Sequence, residues 1–437
     1  MCGIAGKLNW EVSPGPDTVL KMCEKMVHRG PDDSGIVTFE NITLGHRRLS
    51  IIDLSENARQ PMASRDGRYH IVYNGEVYNF QELCAVLKRR GYAFKSTSDT
   101  EVVLYAYAEW GVKCLQKFNG MFAFAIWDVE RKELFLARDR FGKKPLYYHI
   151  NVRKGLTFAS ELTALIADDS ITRNISFEAL NCYLALGYIL SPMTLYENIL
   201  KLEPATYLLV SDKGKNISKA KYWDYAETFR NKTKEDESTI AEHLKTLLEA
   251  SVKRRMVSDV PVGAFLSGGV DSSSIVSLMK KYHEGDLHTF SVGFRHKSYN
   301  DMPDAERAAE WIGTIHHNYI CDGYDGLGFI NAAIDGFDEP FADNSLIPTY
   351  EVSKLASQYV TVVLSGDGAD ELFAGYLTYR ADRYYNLVRH APRFLKKALI
   401  KLGASSANSR KRLNWGYKTK QFFFFPHHPE AFRPCKS

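Results

Sequence analysis

Residues 261–282 read PVGAFLSGGVDSSSIVSLMKKY. An apolar run from Pro261 to Leu266 meets a glycine turn at Gly268 and Gly269, and a helix-like stretch follows to Tyr282. A short apolar run bounded by a turn reads as a buried strand, and strand followed by helix is the repeating unit of α/β folds. Glycines at such a turn let the backbone approach phosphate oxygens, which hydroxyls and N–H groups at the helix start can then bind. A Walker P-loop would need a lysine after its last glycine, and none is present. Further out, HTFSVGF (288–294) and YVTVVLS (359–365) read as strands, with helical segments between them and an amphipathic helix over 238–255. That alternation predicts a parallel sheet.

The N-terminal half has a different texture. Short strand-like runs (ITLGHRRLSII, YHIVYNGEVY, MFAFAIWD, ELFLARD) are separated by turn residues and interrupted by helix-like segments near 80–90 and 101–110. Two β-layers with helices packed outside them suit that pattern. Around Asp212–Asp236 the chain turns polar, which reads as a linker. A chain of 437 residues accommodates two ordinary domains. The expected division is a first domain over 2–213, a linker over 214–237 and a second domain over 238–437.

Composition bounds the rest. Hydrophobic residues make up 45% and charged residues 25%, the balance of a globular protein with a sizeable core. A net charge of +4 argues for no particular partner. Beyond Arg380 basic residues such as Arg389, Lys396, Lys397, Arg410, Lys411 and Arg412 outnumber the acidic ones, and we read this as a solvated helix face and tail. The seven cysteines are odd in number, widely spaced and without a CxxC pair, which argues against a disulfide framework or a zinc site. No signal-peptide pattern and no membrane-length apolar stretch is visible. A cytoplasmic protein without nucleic-acid or membrane partners is expected.

Residue 2 is cysteine, followed by Gly3, Ile4, Ala5 and Gly6. Its small size permits removal of Met1, leaving a thiol and a free α-amine on one residue. Such a thiol can attack an amide carbonyl with the amine as its base near neutral pH. Four further segments follow in order: HRGPDDSG (28–35), GHRRLSIIDLS (45–55) with Gln60-Pro61-Met62, YNGEVYN (73–79) and STSDTEV (96–102). Together they resemble the glutaminase domain of class II, N-terminal nucleophile amidotransferases, over residues 2 to about 200. The resemblance implies an αββα sandwich. It implies that Cys2 is the nucleophile and that Asn74 and Gly75 form an oxyanion hole. It also implies that Arg48 pairs with the glutamine carboxylate, that Glu76 and Asp99 hold its ammonium, and that the segment Arg48, Leu49, Ser50, Ile51, Ile52 offers backbone groups. Arg29 is read as supporting the Cys2 region, and ARDRFGKKPLYY (137–148) as structural.

The string SGGVDSS (267–273) resembles the pyrophosphate loop of ATP pyrophosphatases. Ser291-Val292-Gly293-Phe294, DEPFAD (338–343) and SGDGADE (365–371) extend the likeness to asparagine synthetases. By that resemblance ATP contacts Leu266, Ser267, Gly268, Gly269, Asp271, Ser272, Ser273, Val292, Ser365 and Gly366. Asp271 and Asp370 would hold Mg²⁺ with hard carboxylate oxygens. Asp367 stands at an acidic position tied to formation of the acyl-adenylate. The implied reaction amidates L-aspartate through β-aspartyl-AMP, using ATP, Mg²⁺ and ammonia from L-glutamine carried by an internal channel. Another carboxylate acceptor, such as a uronic acid, and a chain with glutaminase activity alone remain open at this point, as does a homodimer. The family's R-x-P-F-[LM]-D motif and later lysine have no match here, so the second domain is expected to be incomplete at its C-terminus.

Overall fold

A computed structural model of the chain describes residues 1–295, 300–321, 336–343, 345–376 and 379. The basic stretch beyond Arg380 and the four phenylalanines Phe422–Phe425 lie outside the described residues. The described residues fall into two compact units. The first holds 1–260 with 336–343, and the second holds those from 261 to 321 and from 345 to 376.

The first unit contains two six-stranded antiparallel sheets. One sheet runs β10-β8-β9-β1-β3-β2, from β1 (Gly3–Asn9), β2 (Asp33–Thr38), β3 (Ile42–Arg48), β8 (Tyr147–Asn151), β9 (Gly155–Ala159) and β10 (Ile199–Lys201). The other runs β12-β11-β7-β6-β5-β4, from β4 (Met62–Ala63), β5 (Tyr69–Val77), β6 (Gly120–Asp128), β7 (Glu133–Arg138), β11 (Thr206–Ser211) and β12 (Asn216–Lys221). Strand side chains alternate between faces, and here both faces are buried. In β6, Ala123, Ala125 and Trp127 meet Ile4, Leu8, Ile42, Leu44 and Phe158 of the facing sheet. Phe122, Phe124 and Ile126 point the other way, onto helices α2 (Phe80–Arg89) and α3 (Asp99–Trp110). Each such side chain contributes about 1.5–3 kcal/mol by leaving water. Ala5 and Ala159 of the first sheet turn outward onto α1 (Asp17–Lys25) and α4 (Leu162–Leu165). The layering is αββα, and two buried faces explain why MFAFAIWD is apolar without a break.

The polar stretch expected to be a linker is not one throughout. Residues 216–221 form β12, paired with β11 from Thr206↔Lys221 to Ser211↔Asn216. An edge strand needs backbone hydrogen bonds but no apolar side chains, so NISKAK concealed it. The helix Glu237–Arg255 belongs to the first unit, where Arg254 Nη2 pairs with Glu82 at 2.9 Å and the Arg255 guanidinium lies 4.3 Å from the Tyr78 ring. The compact units part near Val260. DEPFAD, which extends the family likeness, is held within the first unit. Asp338 accepts from Leu162 N and Thr163 N at the start of α4, and Glu339 pairs with Lys201 at 2.6 Å.

The second unit carries a four-stranded parallel sheet in the order β15-β14-β13-β16. Its strands are β13 (Val262–Phe265), β14 (His288–Phe294), β15 (Ile315–Cys321) and β16 (Val362–Leu364). The expected strand over 359–365 shortens to three residues, pairing Val262↔Val362 to Ala264↔Leu364. Among the described residues no helix is long and apolar enough to cross a membrane.

Candidate active sites

Cys2 lies just before β1 and is half-buried. Its Sγ donates to Leu49 O at 3.7 Å. Arg29 Nε donates to Cys2 O at 2.9 Å, while Arg29 Nη1 pairs with Glu161 at 2.9 Å. Arg29 thus holds the Cys2 backbone. Burial raises the thiol above its ordinary value, against the pull of the amino terminus, Lys144 and Arg48. The amine of Met1, which precedes Cys2 here, is lowered by burial to about 6.

Strand β5 supplies the next groups. Asn74 is buried, and its Nδ2 has no hydrogen-bond partner among the described residues. Gly75 sits opposite Phe122 of β6. Phe122 uses both of its backbone groups on Asp139: its N donates to Oδ2 at 3.1 Å and its O accepts from Asp139 N at 2.8 Å. Gly75 N–H therefore turns to the other edge of β5, as do Tyr73 N and Val77 N by the period of two. Those two are capped by Gln60 Oε1 at 2.7 Å and Asp99 Oδ2 at 2.9 Å. No side chain among the described residues caps Gly75 N. A Cβ at Gly75 would lie 2.5 Å from Met121 O, so only glycine fits there.

Two carboxylates complete this cluster. Ser98 caps α3 through Thr100 N at 3.1 Å and sets Asp99 in its first turn. Burial raises Asp99 to about 6, although Tyr73 Oη donates to it at 2.6 Å. Burial and the Asp99 charge together push Glu76 well above the carboxylate range, with Lys144 acting against them. Arg48 ends β3; it donates through Nη1 to Ser55 O at 3.2 Å and through Nη2 to Asp53 O. This stops the strand short of the expected LSII and bends residues 49–52 into a loop. There Ser50 N donates to Asp32 at 2.7 Å, Ile51 O accepts from Asp259 N at 3.0 Å, and Ile52 packs on the helix-side core. Lys144 and Tyr73 were not singled out from sequence. Tyr73 looks like any strand residue, and Lys144 lies in a segment read as structural.

In the second unit, β13 leads through Leu266, which is fully buried and donates its N to Phe290 O at 2.9 Å. The turn closes on its own hydroxyls. Ser267 Oγ and Ser272 Oγ lie 3.0 Å apart, and Ser267 N donates to Ser272 Oγ at 3.2 Å. Gly268 has φ +77°, and a Cβ there would lie 2.4 Å from the Asp304 backbone. The helix Val270–Tyr282 then starts without a side-chain cap, with Asp271 exposed in its first turn and Ser273 N bonded to Gly269 O at 3.0 Å. From β13 the chain builds outward through β14 and β15, then returns to the far side of β13 as β16. In parallel sheets, ligands bind outside the carboxyl ends of the strands at such a reversal. SGGVDSS follows β13 and SGDGADE follows β16, and a Cβ on Gly366 would lie 2.9 Å from Ser272 N. The two loops are in contact.

Ser365 Oγ donates to Asp367 Oδ2 at 2.9 Å, Asp367 is exposed, and Asp370 begins the short helix Ala369–Phe373. Val292 is half-buried in β14, next to Ser291, whose Oγ lies 3.0 Å from His316 Nε2. The glycine cradle and the uncapped helix start suit a pyrophosphate. Among the described residues no group of three or more His, Cys, Asp or Glu side chains that could hold a metal occurs.

Residues 1–223 match the family model described as "Glutamine amidotransferase domain", and residues 243–427 match "Asparagine synthase". A Methanocaldococcus jannaschii protein named as an asparagine synthetase [glutamine-hydrolyzing] is 40% identical over 92% of this chain and 81% of its own length. Asparagine synthetase [glutamine-hydrolyzing] 1 of Bacillus subtilis is 37% identical over 92% of this chain, which spans 63% of it. Asparagine synthetase B of Escherichia coli is 32% identical over 92% of this chain and 69% of its own length. With both family models matched and these identities running across nearly its whole length, the chain belongs to the glutamine-hydrolysing asparagine synthetase family.

Proposed function

We propose that the chain is an ATP-dependent amide ligase that takes ammonia from L-glutamine at Cys2 and loads it onto L-aspartate. The products would be L-asparagine, L-glutamate, AMP and pyrophosphate. One observation carries the reading: Asn74 Nδ2, without a hydrogen-bond partner among the described residues, stands on the same strand as the raised carboxylate Glu76. Glutamine offers groups to match. Its ammonium would meet Glu76 and Asp99, its carboxylate Arg48, and its amide oxygen Asn74 Nδ2 and Gly75 N. With Met1 removed, the α-amine of Cys2 would take the thiol proton while sulfur attacks the amide carbon. Donors already aimed at the oxyanion stabilise it without reorganisation. The amine then returns the proton to the departing ammonia, and water hydrolyses the thioester to glutamate.

In the second unit, Ser267, Gly268, Gly269, Ser272 and Ser273 would cradle the ATP pyrophosphate. Val292, Ser365, Gly366 and the backbone of Leu266 would line the nucleoside side. Asp271 and Asp370 would hold Mg²⁺, which when bound neutralises phosphate charge. Asp367 would face the aspartyl-adenylate. Pyrophosphate exchange into ATP across a panel of carboxylates tests the acceptor. Exchange is expected with L-aspartate and not with uronic acids, and Gly268→Ala should abolish it. No exchange with aspartate would overturn the acceptor assignment.

Asp99 makes glutamine binding depend on pH. Its pKa is raised to about 6, so folding stability falls as pH climbs from the ordinary aspartate range through that value. A bound ammonium favours the ionised carboxylate, so affinity is lost as the pH drops. The KM for glutamine should rise about eightfold between about pH 6.5 and 5, as the ionised fraction falls. In Asp99→Asn this dependence should flatten, with a high KM throughout. A steep rise surviving in Asp99→Asn would assign it to another group.

A further inference from the structure

Helix α4 starts without a cap of its own. Its N-cap residue is Glu161, extended at φ −130° and ψ 146°, yet no side-chain bond runs from it to the helix start. The Glu161 carboxylate turns away: Oε1 accepts from Arg29 Nη1 and lies beside His28 Nε2, each at 2.9 Å. The first N–H groups of a helix need acceptors from outside it. Here Asp338 provides them, 176 positions along the chain from Leu162. Its Oδ2 accepts from Leu162 N at 2.7 Å, and its Oδ1 from Thr163 N at 2.9 Å and Thr163 Oγ1 at 2.7 Å.

Asp338 is itself held in place. Glu339 Oε1 accepts from Leu195 N at 2.9 Å, and Glu339 Oε2 pairs with Lys201 Nζ at 2.6 Å. Ala342 N donates to Gly187 O at 2.9 Å. Residues 338–342 thus form a strap fastened to the first unit by Asp338, Glu339 and Ala342.

From the start of α4 a line of bonds runs to the nucleophile. Ser160 N donates to Ile4 O at 2.9 Å and Ser160 Oγ accepts from Ile4 N at 3.0 Å, so the residue before Glu161 is tied to β1. Arg29 bridges the rest, Nη1 to Glu161 and Nε to Cys2 O, each at 2.9 Å. The Arg29 and Glu161 side chains are only 9% and 13% exposed. Charge-assisted bonds of this kind are short, strong and directional. Glu161 can serve its own helix or Arg29. With Asp338 on Leu162 N and Thr163 N, it is left to Arg29.

We propose that Asp338 is a positioning residue for Cys2: by capping α4 in place of Glu161, it keeps the Glu161 carboxylate on Arg29 and so fixes the Cys2 carbonyl behind the nucleophile. This rests on the glutaminase reading above. Asp338 bonds to α4 and not to Cys2, so it acts through Glu161 and Arg29 alone.

The test compares the full-length wild type with Asp338→Ala, Glu161→Gln and the double variant. The readouts are kcat and KM for glutamine hydrolysis, with chemical denaturation to establish folding. Asp338→Ala should lower kcat by about tenfold to a hundredfold, the scale of a reacting group displaced by up to about an ångström. KM should stay within about threefold, because Arg48, Glu76 and Asp99, assigned to the glutamine backbone, lie on β3, β5 and α3 rather than on α4. Glu161→Gln removes the charge paired with Arg29 and should lower kcat in the same way. The double variant should be no slower than the slower single, since two residues acting along one line are not additive. Asp338→Asn keeps one oxygen acceptor and serves if the alanine variant fails to fold; it should show a smaller loss of kcat, again at unchanged KM. An unchanged kcat in a folded Asp338 variant would overturn the proposal. So would losses that multiply in the double variant, which would make Asp338 and Glu161 independent supports. Failure of the glutaminase reading looks different: the wild type itself would release no glutamate, while backbone hydrogen exchange in residues 2–9 would still quicken in Asp338→Ala.

Discussion

Cys2→Ala is expected to lower glutamine-dependent glutamate release by about 10⁴-fold or more, the scale of losing a covalent nucleophile. Alanine removes only the Sγ and its long contact with Leu49 O and keeps the backbone carbonyl that Arg29 Nε holds, so the αββα unit should fold normally. The nucleotide residues belong to the other compact unit. Supplied with ammonium salts, ATP, Mg²⁺ and aspartate, the variant should therefore still form AMP and asparagine at the wild-type ammonia-dependent rate. The check is a paired assay of glutamate release and AMP formation, with near-UV circular dichroism to establish folding. Loss of both activities in a folded variant would refute two separable sites.

Asn74→Ala should lower kcat for glutamine hydrolysis by about 10²–10³-fold, the scale for removing one oxyanion-hole donor. Its Nδ2 has no hydrogen-bond partner among the described residues, so that donor contributes no bond to the fold they form. Stability should change by no more than about 1 kcal/mol from that source, while KM stays within about threefold because the donor acts chiefly on the developing oxyanion. A large rise in KM with kcat preserved would show that Asn74 binds the ground state instead. Chemical denaturation alongside steady-state kinetics separates these outcomes.

Legibility in the sequence followed the range of the forces involved. Strands β5 and β6 and helices α2 and α3 could be read because alternation and helical period are local properties of side chains. Strand β12 could not, because an edge strand is made by its neighbour's backbone and NISKAK carries no pattern. The short segments β8 to β10 escaped for a related reason: three to five residues hold too little periodicity to stand out. DEPFAD carried family resemblance but no assigned role, and only the tertiary structure shows its carboxylates capping and pairing inside the first unit.

The two sites divide the same way. Residue chemistry alone, a cysteine at position 2 and glycines flanked by serines between a strand and a helix, determined which reactions were worth considering. Tertiary structure decided what those residues face. Among the described residues it left Asn74 Nδ2 without a hydrogen-bond partner, and by turning Phe122 toward Asp139 it left Gly75 N free of a side-chain cap. It raised Glu76 and Asp99 by burying them together. Desolvation and charge proximity depend on separation in space, which no local stretch of sequence records.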